Sequence, residues 1–156
     1  MSMKKKARRT LPEGIKMESR KKEKRSILEG VSEDSSSLSQ AYQLTKIASH
    51  VGFDWPNIEG VLRKLDEEIE EFREALSLRS RRKMKEELGD LLFVLANIAR
   101  FLHIDPEEAL RRTLEKFVLR FRYIETSLQK KRKSFDQSDL IEMDRLWEEA
   151  KKRKDK

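Results

Sequence analysis

From Leu91 to Ala99 the chain reads LLFVLANIA, with Asn97 its only polar side chain. A helix that is apolar on every side has to be covered on every side, so this segment is expected to be buried all round. Yet KEELGD precedes it, and Glu87 and Asp90 enter the same helix one turn apart. Residues three or four apart share a helix face, so Glu87, Asp90, Val94 and Asn97 form one row. Two carboxylates on the threshold of a buried segment need a partner that offsets their charge.

The rest of the chain divides into helices with readable ends. A first helix is expected over Ser36–Val51, with Leu38, Ala41, Leu44, Ala48 and Val51 on one face and Gly52 as its stop. A second is expected to start from Asp54 as N-cap with Pro56 in its first turn, and to run to about Leu76. Its apolar stripe is Ile58, Val61, Leu62, Leu65, Ile69, Phe72 and Leu76. The basic stretch 78–83 connects it to a third helix over about 82–103. Asp105-Pro106-Glu107-Glu108 supplies the cap, proline and acid that open a fourth helix, which runs to about Gln129. A fifth fits Ser138–Lys151. With 5 Gly, 3 Pro and 7% aromatics in 156 residues, sheet is disfavoured, and an all-α antiparallel helical bundle is the expected fold.

Charge is unevenly spread. Residues 1–25 hold 11 Lys/Arg against 3 Glu, while 26–128 carry 15 basic and 19 acidic residues and 129–156 carry 10 and 7. The basic excess therefore lies outside the folding part. Three regions are expected: a basic, disordered tail over 1–25, a helical domain over 26–151, and a basic end over 152–156. The basic ends would give weak, salt-sensitive contact with nucleic acid, without any helix-turn-helix, zinc finger or aromatic RNA motif to make it specific. The basic start is followed by no apolar signal segment, and no apolar run reaches the ~20 residues needed to cross a bilayer, so a soluble, cytoplasmic protein with no membrane partner is expected. The lack of Cys excludes disulfides and thiolate metal sites.

On the second helix, LDEEIEEF offers Glu67, Glu68 and Glu71, with Lys64 on the same row one turn earlier. Glu68 borders the apolar stripe and faces the seam between helices. Packed helices lie 8–10 Å apart, so carboxylates from the two can converge on one or two shared ions. All-oxygen ligation with no His nearby suits Mg²⁺, with Mn²⁺ as substitute, better than Zn²⁺. A di-iron site would need Glu-x-x-His, but Ile47 and Arg100 stand three before His50 and His103. Glu70 and Glu74 are expected on a solvated face, His50 and His103 at helix ends, and Trp55 and Trp147 in packing. Lys116 and Arg120 are i,i+4 and share one face of the fourth helix. No Gly-rich phosphate loop or nucleophile motif is present.

GFDWPNIEGVLRKLDEEIEEF followed by KEELGDLLFVLANIARFLHIDPEEALRRTLEKFVLRFRYIE closely resembles the MazG family of nucleoside triphosphate pyrophosphohydrolases, and most of all the C-terminal catalytic domain of its two-domain members. The likeness spans about residues 26–151 and rests on Glu67-Glu68-Ile69-Glu70-Glu71 and Glu87-Leu88-Gly89-Asp90 together. It implies an all-α fold completed by dimerisation, as homodimer or homotetramer. It also implies Mg²⁺-dependent hydrolysis of a nucleoside triphosphate to monophosphate and pyrophosphate, by water attack at the α-phosphorus. By resemblance the metal ligands are Glu68, Glu71, Glu87 and Asp90, with Glu67 close by as proton acceptor. Substrate contacts would fall on Lys83, Asn97, Lys116, Arg120 and Trp147. Two other classes compete with this: a nucleic-acid-binding helical protein, and a non-catalytic scaffold that keeps the fold.

Overall fold

Each helix begins at a side chain that takes up its free N–H groups. Ser36 Oγ accepts from Ser39, Asn57 Oδ1 from Gly60, Ser80 Oγ from Lys83, and Asp139 Oδ1 from Glu142, at 3.1, 3.1, 3.4 and 2.7 Å. Asp105 accepts from both Glu107 and Glu108, with Pro106 leading the helix as expected. These caps delimit five helices in a computed structural model that describes residues 26–153. They are α1 (Ser37–His50), α2 (Ile58–Ser77), α3 (Arg81–Phe101), α4 (Pro106–Lys130) and α5 (Leu140–Lys152), with 3-10 turns at Ile27–Gly30 and Phe135–Gln137. The described residues contain no strand, and the all-helical architecture is the one expected. None of the helices is long and apolar enough to cross a membrane. The basic segment 1–25, with the nucleic-acid contact expected of it, and residues 154–156 lie outside the described residues.

Helix ends follow one device four times. After α1, Gly52 takes φ 84°, and Phe53 donates back to the Ala48 carbonyl. Arg79, His103 and Arg132 adopt φ of 50°, 54° and 56° after α2, α3 and α4, and the next residue donates to the carbonyl five back in each case. Only the first of these carries the glycine that makes such a stop readable. The other three place an L side chain in the left-handed region, at a cost of roughly 1 kcal/mol each.

The start of α2 departs from expectation. Asp54 is not its cap and Pro56 is not in its first turn; Asn57 caps a helix that begins at Ile58. Asp54 instead receives the Arg100 guanidinium in a two-pronged pair at 2.6 and 2.9 Å, joining the α1–α2 loop to α3. Beside it Trp55 lies over Gly60, where an added Cβ would come within 3.0 Å of the ring. The Asp54 and Arg100 side chains are only 26% and 11% exposed, so the pair is largely shielded from solvent. Asp54→Asn, which would preserve a cap, and Arg100→Met should each cost about 1–2 kcal/mol. Chemical denaturation of the double variant should show no loss beyond the larger single one; a cap at Asp54 would make the two losses add.

α2 and α3 form an antiparallel hairpin on a short turn, α1 packs on α3, and α4 packs mainly on α5 while touching α1 and α3 more lightly. On α2 the fully covered residues fall seven apart: Val61, Glu68 and Ala75, with Gly60 beside them. α3 meets this row with Val94, Ala96 and Asn97. A second cluster joins Ile124 and Leu128 of α4 to Leu146 of α5, with Tyr123, Met143 and Trp147 against it. The expectation that α3 is covered all round is not met within one chain. Leu88, Leu92, Phe93 and Leu95 remain 43–53% exposed, because only α1 and α2 cover this helix closely. On α4, Leu110, Leu114 and Phe117 are likewise exposed. Val51 at the end of α1 and Leu62 and Leu76 of α2 are exposed too.

The α4–α5 corner is closed by one carboxylate. Glu142 accepts from Lys131 at 2.7 Å, Lys133 at 2.9 Å and Ser138 at 3.1 Å, and the two lysine bonds hold its carboxyl down to about 2. Because the folded value lies below the ordinary 4.5, the stabilisation is fully present above that pH and is lost as pH falls toward about 2. A Glu142→Gln variant should therefore melt lower than wild type at neutral pH, and the gap should close between pH 4.5 and 2.

Candidate active site

The covered row of α2 delivers the answer to the carboxylates of α3. Glu68 is 4% exposed, midway between Val61 and Ala75, so it stands in the centre of the α2–α3 seam and not at its border. Its carboxylate lies in two groups at once, one with Glu67 and Glu71 and one with Glu87 and Asp90. Within each group the oxygen atoms lie within 4.8 Å of one another. Glu68 faces the seam as expected and is the carboxylate taken out of water, whereas Glu87, on the threshold of the apolar segment, is only half-buried and Asp90 is exposed. Glu67 and Glu71 sit at the exposed rim.

The electrostatics of the seam are unbalanced. Lys64 Nζ stands 2.6 Å from Glu68 Oε1 and 2.8 Å from Glu67 Oε1. Those hydrogen bonds, to Glu67 and then Glu68, push its ammonium above the ordinary lysine range. Glu68 Oε2 is fully buried and has no hydrogen-bond partner among the described residues. A buried carboxylate oxygen without a partner is costly, and a hard cation relieves it. Desolvation against the packed seam, followed by the charge of Glu68, raises the Glu71 carboxyl above its ordinary value. Five converging carboxylates, all hard oxygen donors, with an orphaned oxygen in their midst suit a hard divalent cation.

The substrate residues expected from the sequence divide into two places. Asn97 is buried on α3, seven residues beyond Asp90, and its Oδ1 accepts from Arg100 Nε at 2.9 Å. Arg100 thereby links Asn97 to Asp54. Lys83 lies in the first turn of α3, exposed. Lys116, Arg120 and Trp147 belong to the α4–α5 hairpin: the Arg120 guanidinium lies 5.5 Å over the Trp147 ring, which also meets Phe117 at 5.3 Å. Among the described residues Lys83, Lys116 and Arg120 make no ion pair, while Arg111 and Arg112 of the same helix do. Trp147 packs against the α4–α5 core, as a tryptophan in that stripe should.

Read from the sequence alone, Lys64 and Arg100 have no role at the site, and Asp54 only that of a helix cap. Lys64 was open to detection, since it precedes Glu67 and Glu68 at i,i+3 and i,i+4; the Asp54–Arg100 pair spans 46 residues and leaves no local signal. A cavity of about 540 Å³ between α1 and the α3–α4 corner is lined by Tyr42, Lys46, His50 and His103 among others, and includes none of the expected site residues.

Residues 57–124, which carry both carboxylate motifs, match the MazG nucleotide pyrophosphohydrolase domain. The chain is 43% identical over 115 residues to the nucleoside triphosphate pyrophosphohydrolase/pyrophosphatase MazG of Thermotoga maritima, covering 74% of this chain and 44% of that protein. To the nucleoside triphosphate pyrophosphohydrolase of Escherichia coli K12 it is 35% identical over 118 residues, 74% of this chain and 45% of the relative. A 68-residue stretch is 48% identical to the uncharacterized protein YabN of Bacillus subtilis, 44% of this chain and 14% of that one. The chain thus spans less than half the length of these curated relatives.

Proposed function

We propose that this chain, whose residues 57–124 match the MazG nucleotide pyrophosphohydrolase domain, is a MazG-type hydrolase that cuts nucleoside triphosphates to monophosphate and pyrophosphate with a divalent cation held in the α2–α3 seam. The observation that carries the reading is the orphaned Glu68 Oε2 among the carboxylates of Glu67, Glu71, Glu87 and Asp90. Glu68, Glu71, Glu87 and Asp90 would hold Mg²⁺. Such an ion would supply charge neutralisation at the phosphate oxygens and would lower the pKa of a nearby water, so that on losing its proton it is nucleophilic toward the α-phosphorus. Glu67, at the exposed rim with Lys64 on Oε1 alone, keeps Oε2 to take the water's proton. Lys83, Lys116 and Arg120, without ion pairs among the described residues, neutralise charge gathering on the leaving pyrophosphate. Trp147, with the Arg120 guanidinium 5.5 Å over its ring, offers a face for the substrate, and Asn97 a side-chain amide fixed by Arg100.

A second copy of the chain completes the bundle in this reading. Leu88, Leu92 and Leu95 form one open row on α3, and Leu110, Leu114, Phe117 and Phe121 one on α4. Isolated monomers rarely leave apolar rows of this length in water. Self-association through them, as homodimer or homotetramer, buries what α1 and α2 leave uncovered.

A pyrophosphate-release assay across the eight common nucleoside triphosphates tests the activity and reads base and sugar preference. Pyrophosphate and monophosphate should appear in equal amounts, and only with a divalent cation. Release of orthophosphate and diphosphate, or metal-independent turnover, would contradict the reading.

A further inference from the structure

The seam already contains one cation of its own. Lys64 reaches two of the five carboxylates from one turn earlier on the same helix, touching Glu68 and Glu67 through their Oε1 atoms. Its side chain is 31% exposed while that of Glu68 is 5% exposed, so the ion pair is sunk on its acidic side. Glu68 therefore has two oxygens with opposite circumstances: Oε1 is satisfied by Lys64, and Oε2 is buried without a partner. Lys64 compensates only part of the charge. Asp90, Glu87 and Glu71 make no ion pair among the described residues, and Glu68 stands within reach of all three.

We propose that Lys64 is the resident counter-ion of this seam, carrying part of its negative charge before a divalent cation arrives and opposing that cation once it is bound. The inference rests on reading the seam as a divalent-cation site. Its physical content is a sign. The ammonium and the metal compensate the same carboxylate, so each makes the other less favourable. Removing the ammonium then weakens the metal-free fold, because Glu68 is left buried without its partner, and tightens metal binding, because a like charge a few ångströms away is gone. A lysine that serves only to shape the site would act otherwise: its loss would weaken the fold and loosen the metal together.

The test uses the full chain with Mn²⁺ alone and no nucleotide, titrated by electron paramagnetic resonance, and melting followed by circular dichroism in EDTA and in Mn²⁺. Lys64→Met should melt below wild type in EDTA, bind Mn²⁺ on the order of tenfold more tightly, and gain more than wild type in melting temperature when Mn²⁺ is added. Lys64→Arg should restore both properties toward wild type. Should Lys64→Met be unfolded in EDTA, Mn²⁺ must return its helical signal, and the milder Lys64→Gln must show the tightened binding. Mn²⁺ binding in the Met and Gln variants that equals or falls below wild type overturns the counter-ion role while leaving the metal reading intact. Absence of saturable Mn²⁺ binding in wild type overturns both.

Discussion

Asp90→Asn and Glu87→Gln should each reduce pyrophosphate release by at least ~100-fold at saturating Mg²⁺, with the helical circular-dichroism signal unchanged. Loss of groups that merely orient metal ligands already costs 10–100-fold, and these substitutions remove ligand charge itself. The exchange of an oxygen for an amide changes shape very little. Asp90 is exposed and Glu87 half-buried, so neither amide is forced into a sealed apolar site. In EDTA both variants should melt at or above the wild-type temperature, since they relieve repulsion around Glu68, whose Oε2 has no compensating partner. Wild-type turnover in either variant would remove that residue from the ligand set.

Leu92→Glu should convert the assembled protein to monomers and abolish most activity with it. Leu92 is 53% exposed in the single chain and stands between Leu88 and Leu95 on the open row of α3. If that row is covered by a second copy, the substitution buries an unpaired charge in an apolar interface, which costs several kcal/mol. Every ~1.4 kcal/mol is tenfold in a dissociation constant, so association should weaken by at least ~100-fold. Sedimentation velocity at micromolar protein distinguishes the species. Because the row is open in the single chain, the helicity of the dissociated variant should be retained. An unchanged sedimentation coefficient would show that this face is not the one that associates.

What could be read from the sequence was set by how local the cause is. Caps and periodicity are local, and Ser36, Asp105-Pro106 and Gly52 mark their helix ends as they should. The carboxylate pairs were legible because their spacing on each helix is fixed by 3.6 residues per turn. Which carboxylate is buried was not, because that depends on how α2 rotates against α3. The apolar stripe of α2 is wide enough to put Glu68 at its edge, whereas the row that packs is Val61, Glu68 and Ala75. Asp54 before Trp-Pro looks like a cap, and only the distant Arg100 claims it otherwise. The left-handed stops at Arg79, His103 and Arg132 carry no glycine to announce them. The roles of Lys83, Asn97 and Trp147 had no basis in periodicity and came from resemblance alone.

Whether the α2–α3 carboxylates are gathered to hold a divalent cation is decided by the melting temperature with and without Mg²⁺. A ligand that binds only the native state stabilises it by mass action, by about 2.7 kcal/mol at a hundredfold excess over the dissociation constant. Millimolar Mg²⁺ or Mn²⁺ should therefore raise the melting temperature of the wild type by several degrees. The rise should be much smaller in Asp90→Asn, and larger in wild type when a non-hydrolysable triphosphate is added with the metal. Equal shifts in wild type and Asp90→Asn would mean that divalent ions act on this protein as ordinary salt, and that the seam is not a metal site.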